Sequence, residues 1–261
     1  NRFIIHTAIA SVLLSISIAV VVIMYNMINI KNAKESCYQT LTDMSAEACS
    51  KIENNFKNDK ASLRMLSKII SQSDDVHSTE VINQLAIYPV NSYITNIAIL
   101  TSSNELIEPR HINIDASDIL SYDDEIAKGE HISGLQRSAF IQSEYVIRNY
   151  IPVKNNSSDN YLLFTEMDPN ALAQAWKPSI YQNHANFCII DRNTGDIVIN
   201  NWSELSSNIN DLNISALSQN IKTGKTGYDK IEISDRQVFA TYRPMNIEQW
   251  EIMFIIDEDS V

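Results

Sequence analysis

Four polar side chains in the second half of the chain are of types that hold a small ligand: Arg137, Tyr145, Asn149 and Asp168. Arg137 offers a planar fork suited to a carboxylate, though an exposed ion pair is the commoner use of such a residue. Asp168 can accept a hydrogen bond from an amine. It also precedes a proline, where it would cap a helix beginning at Pro169. Tyr145 and Asn149 fall on one face of a strand-like run, FIQSEYVIRNYIPV, with Glu144, Val146, Arg148 and Tyr150 on the other. The pattern does not say which face meets a ligand.

Catalytic chemistry finds no comparable set. The five histidines, His6, His77, His111, His131 and His184, form neither HxxxH nor HExxH. No G-x-S-x-G, P-loop or G-x-G-x-x-G is present. The three cysteines, Cys37, Cys49 and Cys188, make no CxxC, so neither a metal site nor a disulfide framework is expected. Acidic pairs such as Asp74-Asp75 and Asp123-Asp124 read as solvated loops. Asn155, Asn156, Asn201 and Asn213 each begin an Asn-x-Ser triplet, a pattern that chance supplies readily in Asn-rich sequence. No cofactor is implied. A net charge of -12 argues against a nucleic-acid partner, which would need a basic face.

The elements that would position these residues begin with an anchor. Phe3 to Ile30 contains no Asp, Glu, Lys or Arg, and about 20 apolar residues suffice to cross a bilayer. Residues 1–30 are therefore expected to form a retained transmembrane helix, with a cleaved signal peptide as the alternative. Helical periodicity continues beyond it. Cys37, Leu41, Met44, Ala48, Ile52, Phe56, Leu63, Leu66 and Ile70 recur at spacings of three, four and seven, and no Pro or Gly interrupts Lys31 to Ser71. A stalk helix over 31–77 follows. Its upper half is expected to pack on its own domain and its lower half, Cys37 to Ile52, on a second copy, giving a parallel homodimer that Cys37 could crosslink.

Past the stalk the period changes to that of strands. Asp74, Asp75 and Ser78 mark a break and a capped short helix ending before Pro89. Strands are expected over YITNIAIL (93–100), Glu105 to Ile107, Phe140 to Val153 and YLLFTEM (161–167), then a helix from Pro169 to about Lys177. The scheme partly repeats: FCIID, a Gly turn at Gly195, a return strand to Ile199, a helix from Asn213 to Lys222, and strands over Gly227–Ile233, Gln237–Tyr242 and Trp250–Ile256. This is an α+β architecture, two antiparallel-sheet modules over 78–177 and 178–261. Trp250 is expected in the core and Trp176 between the modules.

FCIIDRNTGDIVIN, VFATYRPMNIEQWEIMFII and the pair YIPV and YLLFTEMDPNAL resemble the double Cache domain, a PAS-like sensor of bacterial transmembrane receptors. The first looks like its opening hairpin, the second its closing strand pair, and the last two the strands and helix that close its membrane-distal module. The resemblance implies a cell-membrane receptor with an extracytoplasmic domain. A small molecule would bind the distal module, over 78–177, and a cytoplasmic output of chemoreceptor, histidine-kinase or diguanylate-cyclase type would lie outside this sequence. Amino-acid-binding members carry Arg-x-Trp-Tyr, a later Tyr and a late-strand Asp. Here only Asp168 has a match, and Arg137 falls near the register of an acidic residue that would read an amine. Two other classes compete: a pilin-like subunit, which would want a Glu where Ile5 stands, and a membrane-tethered enzyme.

Overall fold

The computed structural model describes residues 2–88, 91–110, 113–177, 185–202, 205–212 and 214–258, with the backbone alone for 2–12. His111, His184 and Asn213 lie outside the described residues, as does the His6 side chain. One helix, α1 (Arg2–Ser71), carries the apolar run and the stalk without a break. At 1.5 Å per residue it is about 105 Å long. The apolar part that the structure describes, from Leu13 on, is exposed along its length.

α1 stops six residues short of the expected end of the stalk. Ser73 and Asp75 turn the chain by accepting and donating locally, with the His77 amide on Asp75 Oδ1 at 2.9 Å. Ser78 then caps α2 (Thr79–Ala86), its hydroxyl accepting from the Val81 amide. In chain order there follow β1 (Ile94–Leu100), β2 (Glu105–Ile107), β3 (Asn113–Asp115), α3 (Tyr122–Ala127), β4 (His131–Ile132), β5 (Gln136–Arg137), β6 (Tyr145–Lys154), β7 (Asn160–Met167) and α4 (Pro169–Ala175). The sheet runs β3-β2-β1-β7-β6-β4, and β5 pairs separately with β6. The second unit contains β8 (Asn186–Asp191), β9 (Ile197–Asn200), α5 (Ser215–Lys222), β10 (Gly227–Ile233), β11 (Arg236–Pro244) and β12 (Trp250–Asp257). Its sheet order is β10-β11-β12-β8-β9. All paired strands are antiparallel. The α+β reading with two antiparallel sheets holds.

The strand expected from Phe140 begins at Tyr145. Ser138 prevents an earlier start: its hydroxyl accepts from the amides of Phe140 and Ile141, closing a turn where a ladder would run. Ser234 and Asp235, with φ of 50° and 63°, supply the two-residue hairpin between β10 and β11.

The α1 stripe lies in the largest core cluster, against both sheets. Phe56 sits at the junction, its ring edge-on to Trp176 at 4.6 Å and to Trp250 at 5.6 Å. Trp250 is core, as the sequence suggests, and Trp176 packs on Phe56 and on Tyr93 of the first unit. The lower half of the stripe departs from expectation. Cys37, Leu41, Ala48 and Ile52 are buried within the chain itself, on the side where α1 crosses β11 and β12. Glu53 accepts the Asn246 amide at 2.6 Å there. The second sheet reaches further toward the apolar run than the sequence indicates and covers this face. The parallel homodimer therefore loses the observation that motivated it, and buried Cys37 is no crosslinking position.

Candidate functional site

A groove of about 920 Å³ opens between the two sheets. One wall comes from the first unit: Glu144 to Val146 at the start of β6, and Asp168 to Asn170 at the start of α4. The other comes from Asn200 to Trp202 at the end of β9. Asp168 is the N-cap of α4, with Oδ1 accepting the Asn170 amide at 2.8 Å and Pro169 in the first turn. The cap role is thus real, and Asp168 also lines the groove. Tyr145, 57% exposed, lines it as well. Arg137 pairs across the ladder with Tyr145 and stands over its ring, 5.9 Å from the centroid. It flanks the groove without lining it. Glu144 and Asp168 are charged, and no Lys or Arg is among the lining residues.

Asn149 is not part of this site. Alternation on β6 places it with Ile147 and Ile151, which are in the core cluster under α1. It is 1% exposed, and its Oδ1 has no hydrogen-bond partner among the described residues. The face toward α1 is thus the apolar one, and the opposite face carries Arg148 and Tyr150.

On that opposite face lies a group that the sequence pattern did not single out. Arg148 on β6 and Glu166 on β7 are both 0% exposed and pair at 2.8 Å. The Arg148 guanidinium also donates to Gln136 Oε1 at 2.6 Å and to the Arg137 carbonyl. Glu166 accepts from the Ser138 hydroxyl at 2.7 Å and the Ala139 amide at 2.9 Å. The pair therefore fastens residues 136–139 onto the sheet. The available signal was a charge inside each of two otherwise apolar strands, YVIRNYIPV and YLLFTEM, since such charges are buried only when paired. Beside it, His131 stacks on Tyr150 at 4.7 Å and meets Glu125 at 2.8 Å. Burial alone would raise Glu125, but hydrogen bonds from His131 and Lys128 and their charges bring it down to about 2.

The second sheet holds a buried carboxyl of a different kind. Glu251 on β12 is 0% exposed, and neither carboxylate oxygen has a hydrogen-bond partner among the described residues. Burial pushes it up to about 8, although Arg192 and Arg243 pull the other way.

No protein-family model matches the sequence, and no curated protein matches it. Solved structures do. The ligand-binding domain of the Pseudomonas aeruginosa PAO1 amino acid chemoreceptor PctB, in complex with L-Arg, superposes with a TM-score of 0.68 at 12% identity, covering 86% of this chain and 89% of that one. The sensory domain of the Campylobacter jejuni chemoreceptor Tlp3, with isoleucine bound, gives 0.64 at 13% identity over 87% and 94%. The extracellular domain of a proposed histidine kinase, rpHK1S-Z16, gives 0.62 at 14% identity over 84% and 93%. The chain has the double Cache fold. In double Cache terms the seven-stranded sheet with α2 to α4 is the first module and the five-stranded sheet with α5 the second. α1 is the helix that runs beneath both.

Proposed function

We propose that this chain is the extracytoplasmic sensing region of a transmembrane receptor and binds a small amine-bearing molecule at the groove between Asp168 and Glu144. On this reading residues 1–30 span the membrane, 31–77 form the stalk, 78–177 are the membrane-distal ligand module and 178–261 the membrane-proximal one. The carrying observation is an open groove lined by two carboxylates and by no cationic side chain. The field of such a cleft favours a cationic ligand group. Ligands named for chains of the same fold support it: L-Arg for PctB, isoleucine for Tlp3 and GABA for PctC are all amines. The same likeness, to sensory domains, favours binding over catalysis. Signal would reach a cytoplasmic output of kinase, cyclase or chemoreceptor type along α1.

A thermal-shift screen of amino acids, amines and organic acids against the detergent-solubilised chain tests this. Ligand at a hundredfold excess over Kd stabilises by about 2.7 kcal/mol. An amine should give the shift. Asn caps helices as well as Asp does, so Asp168→Asn keeps α4 while removing the charge. Asp168→Asn with Glu144→Gln should weaken binding tenfold or more. A hit unaffected by that pair, or a screen in which only acids register, would overturn the assignment.

A further inference from the structure

A second groove, of about 380 Å³, opens where α1 leaves its apolar run and passes the start of β10. Met27 and Ile30 form one wall, 66% and 57% exposed. Lys31, Lys34 and Glu35 follow on the same helix. Tyr38 and Tyr228 close the far side, their rings stacked at 4.2 Å.

The level of this groove follows from the helix. The uncharged run ends at Ile30, and the hydrocarbon of a bilayer accommodates about 20 such residues. The run from Phe3 is 28 residues, longer than the hydrocarbon needs, so Met27 and Ile30 lie at its outer, headgroup end, and Lys31 is the first cation after it. Lys31 and Lys34 are about one turn apart, roughly 4.5 Å along the axis, and both line the same groove. Lysine and tyrosine are the side chains that settle at the headgroup layer. Lys34 is only loosely engaged: Glu258 lies 3.8 Å away and is held more closely by Lys230, at 2.6 Å.

We infer that this groove binds the headgroup of an anionic phospholipid, its phosphate between Lys31 and Lys34 and an acyl chain along Met27 and Ile30. The inference rests on the reading of α1 as a membrane span. Along α1 the lining runs from apolar Met27 and Ile30 to Lys31 and Lys34, the order of chain and headgroup in a lipid, with Glu35 one residue further on. Two cations line this groove on a chain whose net charge is -12, beside the carboxylates of Glu35 and Glu258. A phosphate that takes Lys34 from Glu258 leaves Glu258 on Lys230 and loosens the tie between α1 and the end of β12. The site would then couple lipid composition to the relation between stalk and second sheet.

The full chain reconstituted in phosphatidylcholine nanodiscs, with and without phosphatidylglycerol, tests this, with bound lipid read by native mass spectrometry after detergent release. Phosphatidylglycerol should be retained preferentially. Lys31→Gln and Lys34→Gln should each lower that preference about five-fold, the factor that corresponds to about 1 kcal/mol per cation at an anionic surface. Lys57→Gln with Lys68→Gln, about 35 and 50 Å further along α1 from Lys34, should not. Equal retention of the two lipids, or a preference that survives loss of both lysines, overturns the site. Displacement of bound phosphatidylglycerol by inorganic phosphate at equal concentration makes it a free-anion site and overturns the lipid assignment. A chain that stays soluble and never enters the discs overturns the span itself, which separates that failure from failure of the groove.

Discussion

Arg148, Glu166 and Glu251 are ionisable side chains fully buried from solvent, and the structure treats them in opposite ways. Arg148 and Glu166 satisfy each other and the polar groups of residues 136–139. Breaking such a pair from one side leaves an uncompensated buried charge. Arg148→Met should therefore destabilise by about 3–5 kcal/mol, while Arg148→Met with Glu166→Leu should recover most of the loss. Urea denaturation measures both, and a double variant no better than the single one would show that the pair is not the source. Glu251 has no such partner and stays protonated well above its ordinary value of 4.5, to about 8. The folded chain then holds this proton more tightly than the unfolded chain does. Its contribution is complete below about pH 4.5 and is lost as pH rises through about 8. Glu251→Gln should match the parent at low pH and exceed it by a few kcal/mol at pH 8, since each tenfold difference in proton affinity between the folded and unfolded chain is worth about 1.4 kcal/mol. A parent and variant with parallel stability profiles from pH 4.5 to 8 would show Glu251 to be ionised in the fold.

At the scale of elements, much was written in the sequence where local pattern decides the outcome. The three late strands, the Asp168 cap and the unbroken α1 follow from alternation, from an Asp-Pro pair and from the absence of Pro and Gly. What pattern could not supply is which partner covers a face. The stripe from Cys37 to Ile52 has the spacing of a helix seam, and that spacing is the same whether a second helix or a sheet lies on it. Here it is a sheet. The same limit misplaced Asn149: alternation put it with Ile147 and opposite Arg148, but only the packed sheet shows that α1 owns its side. Short elements escaped as well. β3, β4 and β5 have three, two and two residues and are fixed by neighbours rather than by propensity. α1 is the element whose packing joins the two modules, and Phe56 is its central contact. Phe56→Ala should cost about 3–5 kcal/mol, whereas Met65→Ala, on the same helix but 69% exposed, should stay within about 0.5 kcal/mol. Equal losses in a calorimetric melt would place the junction elsewhere.

For the molecule as a whole, the turn between β11 and β12 is where the first module, the second module and α1 meet. Asn246 donates its amide to Glu53 on α1 at 2.6 Å. Glu248 accepts the Ile132 amide from β4 of the first module at 2.8 Å. The Gln249 carbonyl accepts the Arg192 amide, 2.8 Å away, at the turn after β8. Glu248 holds φ of +47°, a region that a residue with a Cβ seldom adopts, and such geometry persists where the surroundings fix it. Movement of the first module against the second must therefore stretch the bond from Glu248 to Ile132, on the β6 side of the first sheet that also forms a wall of the groove. Glu248→Ala should leave both modules folded and remove this tie, whereas Glu248→Gln should keep an acceptor in place. Hydrogen exchange reads the difference directly. The Ile132 amide should lose most of its protection in Glu248→Ala and little in Glu248→Gln, with the β7 amides unchanged in both. Full protection of Ile132 without the carboxylate would mean that the two modules are coupled through α1 alone.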